Sequence, residues 1–135
     1  MNMIHEEVIR MKTKGELDVI DITEDVKRVV EESGIKRGIC LVFGKGSTLG
    51  IILNENDTML LDDLKELIKE LVPHKEYNHP VNARSHLRSI LLRNQVSLPV
   101  KNGRLEIGTW QQVMVLELDT RPREREIIVT VVGES

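Results

Sequence analysis

Val96-Ser97-Leu98-Pro99-Val100-Lys101-Asn102-Gly103-Arg104-Leu105 reads as a β-hairpin. Apolar and β-branched residues lead into Lys101-Asn102-Gly103-Arg104, and Asn-Gly is the pair that best tolerates the positive φ angles of a tight hairpin turn. Leu105 begins the returning strand. A two-residue turn can join only antiparallel neighbours, so the sheet around it is expected to be mainly antiparallel.

Downstream, Trp110 to Leu118 and Glu126 to Val132 make two more strands, joined by the turn Asp119-Thr120-Arg121-Pro122-Arg123. Upstream, Asn82 is placed to cap a helix with Ala83, Leu87, Ile90 and Leu91 on one face. Before it, Leu60, Leu61, Leu64, Leu67, Ile68 and Leu71 form a strong apolar stripe that Pro73 ends. The continuous apolar runs Ile39 to Phe43 and Leu49 to Leu53 fit central strands covered on both faces. Thr23 is read as an N-cap, with Glu24 and Asp25 in the first turn, Val26, Val29 and Val30 on one face, and Gly34 as the stop. Ile4 to Thr13 and Leu17 to Ile22, with Gly15 between, are expected to pair as a hairpin. Seven or eight strands with two or three helices between them make an α+β domain spanning residues 1–135, built on a mainly antiparallel sheet or sandwich.

The net charge of −3, spread over 19 basic and 22 acidic residues, does not give the field of a nucleic-acid binder. No apolar run nears the roughly 20 residues that cross a bilayer, so a soluble chain is expected. Cys40 lies inside an apolar run and reads as a small buried hydrophobe. A single cysteine and the lack of a secretory leader favour the cytoplasm.

Gly44-Lys45-Gly46-Ser47-Thr48 resembles a phosphate-binding loop only superficially, because Lys is not followed directly by Ser or Thr and Ile39 stands where the first glycine is needed. Such a turn can still offer backbone N–H groups to an anion, or be an ordinary flexible turn. His79 and His86 flank a polar loop and could ligate a divalent metal, with Glu55, Asp57 or Asp63 as a third ligand. Two loop histidines are more often solvent-exposed or helix-capping than metal-bound. Arg84 and Arg88 suit bidentate phosphate recognition. Arg121, Arg123 and Arg125 are read as a solvated charged face beside Glu124 and Glu126. Trp110 is either a pocket wall or an interface anchor.

Leu53-Asn54-Glu55, Asp63, Tyr77-x-His79, His86-Leu87, Leu98-Pro99-Val100, Gly103 and Gly108-Thr109-Trp110-Gln111, in this order, resemble the YjbQ-like family, also called the secondary thiamine-phosphate synthase family. The resemblance covers almost the whole chain. It implies a compact α+β homotrimer with histidines near a subunit boundary that hold a metal such as zinc. It also implies the coupling of hydroxymethylpyrimidine diphosphate to a thiazole phosphate with release of pyrophosphate, a step in which zinc or magnesium and basic groups neutralise the leaving diphosphate. His79 and His86 would be metal ligands or acid–base groups, Glu55 a ligand or orienting group, and Arg84 or Arg88 the phosphate contact.

The sequence departs from the family where a histidine usually stands. Position 46 is glycine, followed by the retained hydroxyl pair Ser47 and Thr48. The loop between His79 and His86 is short for the family, and Arg93 replaces a usual glycine. Losing one imidazole lowers metal affinity steeply. Two functions therefore compete: the synthase, and a non-catalytic trimer that binds a metal or a small anion such as a phosphorylated metabolite, with Ser47, Thr48, Arg84, Arg88 and Trp110 around the ligand.

Overall fold

A computed structural model describes residues 2–135. The elements are β1 (Asn2–Lys12), β2 (Val19–Asp21), α1 (Thr23–Ser33), β3 (Arg37–Lys45), β4 (Leu49–Asn54), α2 (Thr58–Leu71), α3 (Ala83–Leu92), β5 (Gln95–Lys101), β6 (Arg104–Leu105), β7 (Gln112–Glu117) and β8 (Glu124–Glu134). They form a five-stranded sheet ordered β1-β8-β3-β5-β6 and a three-stranded sheet ordered β2-β7-β4. Every pairing is antiparallel. The α+β class and the antiparallel architecture expected from the sequence are both present.

The hairpin at 95–105 forms as expected, with Asn102 at φ 55° and Gly103 at φ 75° supplying the two positive angles of its turn. The N-terminal hairpin does not form. β1 pairs with β8 along its whole length, while β2 pairs with β7 in the other sheet. Gly15 at φ 119° and Leu17 at φ 66° turn the chain from one sheet to the other, so the intervening glycine marks a crossing.

The core lies between the sheets. Cys40, Val42, Val129 and Val131 of the larger sheet meet Ile51, Val113 and Val115 of the smaller, with Val26, Val29 and Val30 of α1 packed against them. The strand buried on both faces is β7, where residues 113–118 are all buried, because Leu116 and Leu118 also meet Leu17 and Ile68 on the far side. β3 and β4, expected to be central strands covered on both faces, each meet half of that description. β3 is the middle strand of the large sheet but leaves Ile39 58% exposed on the open face, and β4 is an edge strand whose Leu49, Gly50 and Ile51 are all buried.

The α1 cap also differs from expectation. Thr23 is the first helical residue, and Asp21 Oδ1 accepts from both its N–H (2.9 Å) and its hydroxyl (2.6 Å). α2 is properly capped, Asp57 accepting from the Leu60 N–H at 2.9 Å. Only Ile68 of its apolar stripe is buried, and Leu71 is 64% exposed. α3 follows its expected apolar face only at Ala83: Ser85, Arg88 and Ser89 are buried beside it, while Leu87, Ile90 and Leu91 are exposed. Specific acceptors hold that polar side in. Ser89 donates to Leu49 O at 2.6 Å, and Arg88 Nε and Nη2 donate to Val72 O at 3.1 and 2.9 Å.

Candidate functional site

The β3–β4 turn, the start of α3 and the β7–β8 turn converge at one end of the two sheets. Underneath is a buried polar network. Arg125 Nε donates to Glu117 Oε1 at 2.9 Å and its Nη2 reaches the second carboxylate oxygen, with side chains 2% and 0% exposed. Thr13 Oγ1 also donates to Glu117, at 2.8 Å, and Thr48 offers Arg125 Nη2 both its carbonyl and its hydroxyl at 2.8 Å. Asp119 accepts from Asn82 Nδ2, the Thr120 N–H and Arg123 Nη1. Burial alone would raise the Asp119 carboxyl; the Thr120 N–H, Asn82 and Arg123 outweigh it and hold it below its ordinary value.

The expected solvated arginine face is thus corrected for two of its members. Arg125 points inward because strand alternation puts it on the side of Ile127, Val129 and Val131, opposite Glu117. Charges at alternate positions, Glu117 with Asp119 and Arg123 with Arg125, were the available signal: in a strand such residues share a face.

Above the network, the His79 and His86 rings lie 5.0 Å apart at a tilt of 54°. They form a ridge between two clefts. His79 lines one of about 530 Å³ with His74, Lys75, Tyr77 and Arg84. His86 lines the other, about 370 Å³, with Gly46, Ser47, Ser89, Ile90, Arg93 and Asn94. No carboxylate lines the second cleft.

The remaining sequence candidates are dispersed. Thr48 is turned into the polar network. Arg84 Nε and Nη2 bind the two oxygens of Glu16 at 2.9 and 3.1 Å, and Arg88, 3% exposed, adds Nη1 to the same carboxylate at 2.9 Å. Glu55 lines another, largely apolar cavity of about 460 Å³ with Leu60, Leu61, Leu64 and Arg93, the last of which also borders the His86 cleft. β4 runs between it and the histidine end, and a strand of that length puts its two ends about 17 Å apart. Trp110, 71% exposed, precedes the β7 residue that pairs with Asn54, so it stands at the Glu55 end.

The metal implied by the resemblance needs three protein ligands in a tetrahedral site. His79 and His86 supply two nitrogens, and among the described residues no group of three or more His, Cys, Asp or Glu side chains could hold an ion. Cys40 is remote from such a role, its thiol pushed up to about 11 by burial. Within one chain the donor set stops at these two imidazoles, one short of that number.

The family assignment rests on comparison with known proteins. A family model described as UPF0047 protein YjbQ-like matches residues 7–134. The chain belongs to the YjbQ-like family. A UPF0047 protein of Methanothermobacter thermautotrophicus is 40% identical over 135 residues, covering 97% of this chain and 94% of its own. One from Archaeoglobus fulgidus is 40% identical over 125 residues, 90% of this chain and 96% of its own. Among solved structures, a YbjQ-like protein of unknown function from Sulfolobus solfataricus P2 superposes with a TM-score of 0.96 at 37% identity, over 99% of this chain and 100% of its own. Within this YjbQ-like chain, no helix among the described residues is long and apolar enough to cross a membrane.

The Glu16 clamp gives a pH dependence. Its hydrogen bond from Arg84, opposed by partial burial and helped by the charges of Arg84 and Arg88, holds the carboxyl below its ordinary value. A depressed folded-state pKa means the unfolded chain binds the proton first, so the contribution is complete above the ordinary carboxylate range and is lost as pH falls through the folded value. Glu16→Gln is expected to be less stable than the parent at neutral pH, with the gap closing on acidification in urea melts. A gap of constant size at every pH would remove the clamp from the account.

Proposed function

We propose that this YjbQ-like chain is a binding protein for a small phosphorylated metabolite, taken up in the cleft between Ser47 and His86. The supporting observation is the lining of that cleft: an imidazole, the Ser47 hydroxyl and the Arg93 guanidinium, without a carboxylate to repel an anion, while Ser89 and Asn94 spend their donors on the carbonyls of Leu49, Gly44 and Gly46. The assembly is proposed to be a homotrimer in the cytoplasm, and the uncovered apolar residues Leu67 and Leu71 of α2 and Ile90 and Leu91 of α3 are the kind of surface a second copy would cover.

Calorimetry with hydroxymethylpyrimidine phosphate and thiazole phosphate tests the binding. Wild-type protein is expected to take up at least one of them, with His86→Ala weakening the binding at least tenfold. Equal affinity in the variant, or no uptake of either probe, would defeat the proposal. Light scattering on the same samples reads the number of copies.

Coupling of the two precursors, with release of pyrophosphate, is the second reading. The contact between the His79 and His86 rings favours it, since paired imidazoles can shuttle a proton. The distance of Glu55 and the commitment of Arg84 and Arg88 to Glu16 place it second, because they leave the diphosphate with fewer cations. Turnover with Mg²⁺ that is abolished by both His79→Ala and His86→Ala would move it to first place.

A further inference from the structure

β1 lies at the rim of the large sheet with one side of its backbone unused. It pairs with β8 from Asn2 to Lys12 in one unbroken register, without a bulge or a proline, and no described strand lies on its other side. Thr13 continues the ladder by donating its N–H to Arg123 O at 2.8 Å, so Met11, Ile9, Glu7 and His5 are the residues that bond β8. The alternate residues, Ile4, Glu6, Val8 and Arg10, direct their N–H and C=O groups outward, where no backbone group among the described residues takes them up. A long flat edge of this kind is a template for another strand, and folded proteins ordinarily blunt it with a proline, a bulge or a covering helix.

We infer that the free edge of β1 is an interaction surface for the β1 strand of a second copy of this chain, the two strands pairing antiparallel about a two-fold axis at Val8. The charges select both the occupant and the register. Glu6 and Arg10 stand symmetrically about Val8, so this centre sets each Glu6 opposite the Arg10 of the other copy, on a face where both are exposed. On the other face His5 meets Met11 and Glu7 meets Ile9, so no like charges oppose one another. Moving the centre to Glu6, Glu7 or Arg10 puts that residue against itself. Within one chain Glu6 accepts from Thr130 Oγ1 at 3.0 Å, and Arg10 Nη2 lies 3.4 Å from Glu126 with its side chain 72% exposed, which leaves both able to reach across. Apolar contacts act in the same sense. Val8, Ile128 and Phe43 are cross-strand neighbours, and Val8 against its own counterpart joins two such rows into one. The contact is isologous and goes beyond the proposed trimer: two-fold pairing makes two copies from a monomer and six from a trimer.

Light scattering on the full chain after size exclusion, from micromolar concentration upward, tests the pairing. Wild-type protein is expected to run as two or six copies. Val8→Pro removes an N–H that points away from β8, so the fold keeps its ladder while the measured mass should halve. Glu6→Arg sets like charges face to face and should also halve the mass. Adding Arg10→Glu to it should restore the parent mass, a recovery that damage to the fold would not give. One or three copies for the wild-type chain, an unchanged mass in either single variant, or a double variant that stays at half mass would overturn the pairing. Three copies would do so while leaving the proposed trimer standing.

Discussion

Replacing Arg125 by methionine is expected to cost about 3–5 kcal/mol of folding stability, the range for removing one partner of a buried ion pair. The magnitude comes from what is left behind. Glu117 is fully buried, and without the guanidinium its charge keeps only the Thr13 hydroxyl and the Asp119 N–H as donors. The Thr48 carbonyl and hydroxyl lose their shared donor as well. Urea unfolding should show a midpoint lower by roughly 2 M, taking an m-value of about 1.5–2 kcal/mol/M for a chain of this size. Adding Glu117→Leu should recover more than half of the loss, since the penalty is an unpaired charge more than a missing attraction. A single variant that loses less than about 1 kcal/mol would show that water or a rearranged neighbour reaches Glu117.

Gly38→Ala is expected to cost about 3 kcal/mol, the upper end for overpacking, and to lower Tm by on the order of 10 °C. Gly38 and Gly133 sit directly opposite each other in the β3–β8 ladder. A Cβ on Gly38 would overlap the Val132 carbonyl oxygen, and one on Gly133 the Arg37 carbonyl oxygen. Both obstacles are backbone, so no side chain can swing away; the strands must separate and lose ladder bonds. Gly34→Ala serves as the comparison, because that glycine has nothing within 4 Å and carries only the strain of φ +74°. Its cost should be about 1–2 kcal/mol. If the two variants melt together, the close approach of β3 and β8 is not the constraint described.

Local signals were legible in the sequence and distant pairings were not. The 95–105 hairpin and α2 rest on turn chemistry and a 3.6-residue period, both contained in a short window. The partner of β1 lies more than a hundred residues away in β8, and no pattern within Ile4 to Thr13 distinguishes that partner from the nearer β2. Three of the four buried residues of α3 are polar, and hydrophobicity cannot announce a serine that hydrogen-bonds a strand carbonyl. The same blindness hid the Glu117–Arg125 pair, whose charges read as surface until their acceptors and donors are seen. At the candidate site, the sequence offers His79 and His86 as possible co-ligands; their rings lie 5.0 Å apart, yet they line different clefts. The separation of Glu55 from them follows from β4 lying between, which required knowing the register with β7.

The pairing of β1 with β8 also sets an order of events during synthesis. β1 is made early, yet its one ladder partner among the described residues, β8, follows more than a hundred residues later, and β3 likewise needs β8 on one flank. At translation speeds of about 5–20 residues per second, the first strand waits on the order of ten seconds with its hydrogen-bonding edge open. A nascent chain halted before Glu124 therefore has no mate for its leading strand, and the large sheet can close only once β8 has been made.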